Sequence, residues 1–254
     1  MTKSELTTAD VSVVASLLGY NNVFIPRTAS VYERSEALTE FVKNRVRSLE
    51  RKHILRYELD GTLYIDEKIR KSVEAMCSPD RVLVLNSNCF KGKCAEMYIF
   101  IKDGFTLCAT KKNRDRVALS MVKPKEIADF LPLDSDSEKM HSITEKILYE
   151  DTERIQQKLH SFQRDKAEEY LSALGVRAEN TPVLCEILTG SCKYIRVRQL
   201  HRARGAYNVS GDEFYALVSG EPVSVNIDEF GVVNFESVSN DSLKNYVSEK
   251  LENV

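Results

Sequence analysis

The chain has 254 residues, 43% hydrophobic and 29% charged, a globular composition that excludes a disordered polymer and allows one large domain or two small ones. Its 36 basic and 38 acidic residues leave a formal net charge of −2, so no global field draws it toward phosphate backbones or anionic lipid. Tryptophan is absent and there are only 4 histidines, so the side chain on which most hydrolytic and metal chemistry relies is scarce.

The opening MTKSELTTADVSVVASLLGY lacks the uninterrupted apolar region of a signal peptide, and no stretch reaches the roughly 18 apolar residues of a membrane span. A cytoplasmic protein without a membrane partner is the expectation. Val11, Val14, Ala15 and Leu18 recur at helical spacing between a capping Thr8 or Asp10 and the stop at Gly19, which predicts a first helix. After Pro26 a second helix runs from near Ser30 to near Arg51 on the stripe Ala37, Leu38, Phe41, Val42, Val46 and Leu49. Two short apolar runs then flank Asp60-Gly61, a dipeptide suited to the positive-φ turn of a tight hairpin, and a helix from Asp66 to Met76 follows.

From Arg81 the period changes to two. RVLVLNS, AEMYIFIK, FTLCATK and RVALSMVK read as four strands of an antiparallel meander, closed by a helix, KEIADFL, that has Pro124 in its first turn and ends at Pro132. LDSDSE is a polar, turn-like linker. Beyond it, apolar residues from Met140 to Leu174 keep helical spacing; unbroken, that segment is a helix of about 36 residues and about 54 Å, with the polar run YEDTER as the alternative break. PVLCEIL, KYIRVRQL, EFYALV, PVSVNID and VVNFESV read as further strands and DSLKNYVSEKL as a closing helix. Each half, 1–132 and 133–254, thus runs helices, meander, short helix, whether as two units or one continuous domain. The predicted class is α+β: a pseudo-two-fold repeat of antiparallel meanders flanked by helices, with a long central helical segment.

Reactive groups do not assemble into a motif. Cys89 and Cys94, and Cys185 and Cys192, fall at corresponding turns of the two meanders, and four thiolates could hold zinc, but the spacings and the missing glycines are unlike zinc knuckles. Reduced, buried thiols are the expectation for these and for Cys77 and Cys108. His53 and His201 lie in basic stretches and His141 and His160 on helical segments. The scattered glycines form no phosphate loop. We therefore expect no enzyme, no cofactor and no metal site.

Two readings compete for function. Arg45, Arg47, Arg51 and Lys52 precede the wing-like hairpin, and Arg196, Arg198, Arg202 and Arg204 surround a later strand, as in a winged-helix DNA-binding regulator with an appended sensor domain. Interleaved acids (Glu36, Glu40, Glu50, Glu58, Asp60) count against nucleic acid. In KYIRVRQL, alternation puts Ile195 and Val197 on one side of the strand and Tyr194, Arg196 and Arg198 on the other. Tyrosine and arginine are the residues enriched in protein interfaces.

The order of elements is similar to a known family. LLGY, then Pro26, then a helix followed by SLERKHILRYELDGTLYIDEKIRKSVEAMCSPDRVLVL, with Leu49, Arg51, Leu55, Asp60, Gly61, Asp66, Asp80 and Arg81 in place, resembles the N-terminal half of the EspG family, substrate chaperones of type VII (ESX) secretion. The closing EPVSVNIDEFGVVNFESV, with Asp228 and Gly231 at its turn, and the last helix resemble its C-terminal half. His53 stands where the family often has glycine. The lysine- and tyrosine-rich composition looks more like the EsaE-type accessory proteins. The resemblance implies a bacterial cytosolic chaperone that holds a secreted helical hairpin of the WXG, LXG or PE–PPE type. Its contact residues are expected at Phe90, Lys91 and Lys93 of a meander loop, on the Tyr194, Arg196 and Arg198 face, and on the long helical segment.

Overall fold

The computed structural model describes residues 3–24, 35–88, 96–112, 115–131, 133, 142–203 and 206–252. Among these residues ten strands form one antiparallel sheet: β1 (Lys3–Thr7), β4 (Arg81–Ser87), β5 (Glu96–Lys102), β6 (Phe105–Lys111), β7 (Arg116–Met121), β8 (Thr144–Leu148), β9 (Lys193–Ala203), β10 (Ala206–Val218), β11 (Glu221–Ile227) and β12 (Val232–Ser237). Their order is β1-β7-β6-β5-β4-β9-β10-β11-β12-β8, and β2 (Leu55–Tyr57) and β3 (Leu63–Ile65) form a separate hairpin. The helices are α1 (Thr8–Leu17), α2 (Ser35–Arg51), α3 (Glu67–Cys77), α4 (Pro124–Ala128), α5 (Tyr149–His160), α6 (Arg164–Ala173), α7 (Thr181–Thr189) and α8 (Asn240–Glu252).

The strand order makes the duplication geometric. Each half begins with an outer strand that returns to pair with the last strand of its own meander: β1 with β7, β8 with β12. The halves meet where β4 runs antiparallel to β9. The second strand of each meander turns into the third through a left-handed pair of residues, Asp103-Gly104 and Ser219-Gly220, the two-residue hairpin geometry that matches strand twist.

Alternation divides the core between the two sheet faces. On one face Val82, Val84, Phe100, Leu107 and Ala109 pack beneath α1, α3 and the end of α2, while Ala216, Val218, Val223, Val233 and Phe235 pack beneath α5, α6 and α7. These are two separate apolar clusters under two separate groups of helices. The opposite face carries Leu83, Leu85, Ile99, Ile195, Val197 and Leu217, covered by α4 and α8, which pack on each other.

Several expectations need correction. Thr7, not Thr8 or Asp10, caps α1: its hydroxyl accepts from Asp10 N at 3.0 Å and Asp10 Oδ2 accepts from Thr7 N at 3.1 Å, a reciprocal box. PVLCEIL is not a strand but α7, buried by Val183, Leu184, Ile187 and Leu188, with Pro182 in its first turn. The central helical segment is α5 followed by α6, not one rod. It is preceded by β8, and the break falls at Phe162 (φ 57), while YEDTER forms the first turns of α5. The start of the second helix before Ser35 and most of the LDSDSE linker lie outside the described residues.

Candidate partner-binding surface

Between the two helical groups, the middle of their shared sheet face carries polar side chains, of which Arg196 and Asp212 are exposed. β9 presents Tyr194, Arg196 and Arg198 there, opposite Ile195 and Val197, which are 0% and 1% exposed on the other side. The alternation expected for this strand therefore holds. Register places Asn86 of β4 and Phe214 of β10 beside Arg196, and Val84 and Asp212 beside Arg198. On β5, Glu96 pairs with Asn86 and Tyr98 with Val84.

These groups bond to one another. Arg196 grips Asp212 with two nearly parallel bonds, Nε to Oδ1 at 2.7 Å and Nη2 to Oδ2 at 2.5 Å, the fork geometry that favours arginine over lysine. These bonds hold the Asp212 carboxyl below its ordinary range despite partial burial. Arg198 Nη2 donates to Asn86 Oδ1 at 3.2 Å, Asn86 Nδ2 donates to Glu96 Oε1 at 2.8 Å, and Tyr98 Oη donates to Glu96 Oε2 at 2.8 Å. Arg198 Nε is buried without a partner. Tyr194 stacks on Phe214 with ring centroids 5.5 Å apart. Two arginines face two carboxylates, so the strip is close to neutral, and it offers aromatic faces and hydrogen-bond donors without a concentrated field.

Phe90, Lys91 and Lys93 belong to the segment joining β4 to β5 and lie outside the described residues, as do Cys89, Cys94, His141 and Arg204. Cys185 sits inside α7, not at a meander turn, which removes the expected correspondence between the two cysteine pairs. Cys185 and Cys192 are free thiols, and burial pushes both up from the ordinary value. Cys77 is pushed up to about 12 by burial, with Glu74 adding to the effect, the opposite of nucleophile activation. Among the described residues no group of three potential ligands gathers to hold a metal, and no helix is long and apolar enough to cross a membrane.

Two of the four basic residues before the hairpin, Arg45 and Lys52, have another task. Asp10 is fully buried in the first turn of α1, and Lys52 Nζ lies 3.2 Å and Arg45 Nη1 3.8 Å from its carboxylate. Arg45 on α2 and Lys52 just past its end both reach inward to neutralise it.

Sequence reading missed Phe214, Asn86, Glu96, Tyr98 and Asp212, which strand pairing brings to the strip. Only the alternation within each strand hinted at the shared face, because the β4–β9 pairing joins segments more than a hundred residues apart.

No protein-family model matches the chain, and no curated protein matches it in sequence. Structural comparison finds the type VII secretion system chaperone EspG5 of Mycobacterium tuberculosis, solved in complex with the PE25–PPE41 dimer. The TM-score is 0.66 over 98% of this chain and 95% of EspG5, with 11% identity. This chain has the fold of EspG5. The likeness spans both halves of the chain. The EspG5-like fold leaves the strip side chains to be read from this sequence, since so few positions are identical.

Proposed function

We propose that this protein is a cytoplasmic chaperone that binds a helical protein destined for type VII secretion and keeps it soluble, with no chemistry of its own. The observation that carries the reading is the polar strip itself: between the two helical groups of the described residues the sheet face carries Tyr194, Arg196, Arg198 and Phe214 side by side, with Arg196 and Asp212 exposed. Four strands about 4.8 Å apart make a floor of roughly 14 Å, and an α-helix with its side chains is about 10–12 Å across. One helix, or the turn joining two, fits between the flanking groups.

Partner chemistry follows from the floor. Aromatic rings and arginine forks are the side chains that dominate protein interfaces, and the near-neutral balance selects neither strongly acidic nor basic partners. EspG5 was solved with a PE–PPE dimer, and the shared fold supports a helical substrate of the WXG, LXG or PE–PPE type here. Covering an apolar helical tip prevents its aggregation and requires only binding.

Co-expression of the full chain with each WXG, LXG and PE–PPE type protein of its source genome tests this. A one-to-one complex with one of them that survives size exclusion, and that Arg196→Glu weakens at least tenfold, is the expected result. Failure to form a complex with any of them, or steeply salt-dependent binding to duplex DNA, would remove the reading.

A further inference from the structure

The sheet ends in β1 on one side and in β8 on the other, and the repeat makes the two edges comparable. Each edge strand runs straight into a helix whose first N–H turns inward. Thr8 N bonds to Asp115 O at 2.9 Å, and Tyr149 N to Gly231 O at 2.9 Å. Backbone groups of successive strand residues point to opposite sides of an antiparallel ladder, so the residues just before these, Thr7 and Leu148, aim their N–H groups out of the sheet. The first half seals that donor: Asp10 Oδ2 accepts it at 3.1 Å. The equivalent acid three residues past Leu148, Asp151, is engaged by Tyr170 Oη at 2.7 Å and Arg154 Nη1 at 3.2 Å instead. Among the described residues no strand lies on the outer side of β8.

The same alternation turns the backbone groups of Thr144 and Lys146 outward in step with those of Leu148, and all three side chains are exposed. The two corners also differ in chemistry. Thr7, Thr8 and Asp115 make the first, whereas Leu148, Tyr149 and the turn residue Phe230 make the second, at 55%, 46% and 81% exposed. The Asp228 carboxylate in that turn already accepts the N–H groups of Phe230 and Val232 at 2.9 Å each, which leaves the exposed Lys146 as an available cation.

We infer that the outer edge of β8 takes an extended segment of a partner protein as an eleventh strand, with an acidic residue opposite Lys146 and an apolar residue opposite Leu148. Outward backbone groups of Thr144, Lys146 and Leu148 supply the pairing, Lys146 selects the charge, and Leu148, Tyr149 and Phe230 supply an apolar end. A second copy paired about the middle of β8 would set Lys146 against Lys146, and like charges directly opposite are unfavourable. The edge lies four strand spacings, roughly 19 Å, from β9, so it is separate from the polar strip and does not depend on what the strip binds.

Amide exchange of the free full chain, followed by NMR, reads the edge first. The N–H groups of Thr144, Lys146 and Leu148 should exchange fast while those of Glu145, Ile147 and Tyr149 are protected; protection of all six would mean that the chain's own linker or a second copy covers the edge, and would overturn the inference. The binding probe is a blocked strand peptide of valine and threonine with one central glutamate and an isoleucine two positions before it. Leu148→Pro removes the outward N–H without touching the ladder, since Leu148 already has φ −62, the proline value. We expect the peptide to protect the β8 edge, to bind Leu148→Pro about tenfold more weakly, and to lose less affinity for Leu148→Ala. Lys146→Glu should reverse the preference toward a peptide with a central lysine. Unchanged melting checks that each variant folds, and Lys146→Glu decides the matter if Leu148→Pro does not. No movement of β8 amides at millimolar peptide, equal losses in Leu148→Pro and Leu148→Ala, or an unreversed preference in Lys146→Glu would each overturn the inference.

Discussion

Chain order and sheet position pair α1 with α5, and the two helices solve the same two problems differently. Each begins just after an outer strand and buries an aspartate in its first turn. Asp10 is completely enclosed, accepts the Thr7 backbone N–H, and is neutralised by Arg45 on α2 and Lys52 just past its end. Asp151 is 9% exposed and is held by the Tyr170 hydroxyl at 2.7 Å and by Arg154 at 3.2 Å. Each helix also ends in a left-handed residue with its successor's N–H bonded back five positions, Tyr20 to Ala15 and Gln163 to Lys158, the double-bonded stop that favours glycine. Glycine is there in the first half, as Gly19 (φ 82). In the second half Phe162 takes the place, at φ 57 and 98% exposed. α1 thus rests on a doubly paired anchor and a relaxed stop, whereas α5 accepts a weaker anchor and a strained one.

That contrast can be broken by mutation, and the largest effect lies at the anchors. Asp10→Ala removes a capping acceptor and the counter-charge of two cations, and should cost about 2–3 kcal/mol. Asp151→Ala should cost only about 1 kcal/mol, because Arg154 and Tyr170 can turn to water. Urea melts of the two variants decide it, and equal losses would deny that the anchors differ in strength.

The helix stops give a smaller effect of opposite sign. A non-glycine residue in the left-handed region carries roughly 1–2 kcal/mol of strain, so Phe162→Gly should raise stability by about 1 kcal/mol. His53 (φ 56) occupies the same kind of stop after α2, with Ile54 N bonded to Leu49 O at 3.0 Å, and His53→Gly should gain a similar amount. Gly19→Phe should lose stability by the reciprocal argument. Thermal denaturation that left Phe162→Gly unchanged would mean that the exposed ring stabilises the fold through contacts it does not visibly make.

The smallest effect concerns pH. Hydrogen bonds from Arg196 keep Asp212 below its ordinary 3.8, and a folded value that is depressed stabilises fully above the unfolded one and loses its contribution only as the pH falls through the folded one. The Arg196–Asp212 clamp should therefore be indifferent to pH from about 5 to about 8 and weaken only in stronger acid. Asp212→Asn should remove that part of the acid sensitivity, read from partner affinity against pH; a loss of affinity already near neutrality would rule out the clamp as the titrating group.

Much of this architecture was legible residue by residue. RVLVLNS and FTLCATK begin and end where β4 and β6 do, and the Asp60-Gly61 hairpin, the Asp66 cap and the closing helix stand where local chemistry put them. His53, noted as standing at a glycine position, does adopt the left-handed backbone that glycine suits. The failures were those of ambiguous periodicity. In PVLCEIL a short apolar run buried on most sides carries no clear period, and Pro182, a first-turn signal, was the overlooked evidence. Around β8, Ile143 and Ile147 satisfy spacing four, which a helix and a strand both allow; the exposed Thr144, Lys146 and Leu148 alternating with buried Ile143 and Ile147 and half-buried Glu145 show the strand. Half of the strip was visible as Tyr194, Arg196 and Arg198. The remainder depended on which strands become neighbours, which is not written in local sequence.

We propose that a helical partner sits on the polar middle of the sheet. Hydrogen exchange of the full chain, alone and bound to its co-expressed partner, tests it most directly. New protection is expected in β9 and in β10 from Tyr207 to Phe214, with the β2–β3 hairpin and the α4–α8 face unchanged. Protection confined to the α4–α8 face, with β9 and β10 exchanging as in the free protein, would contradict it.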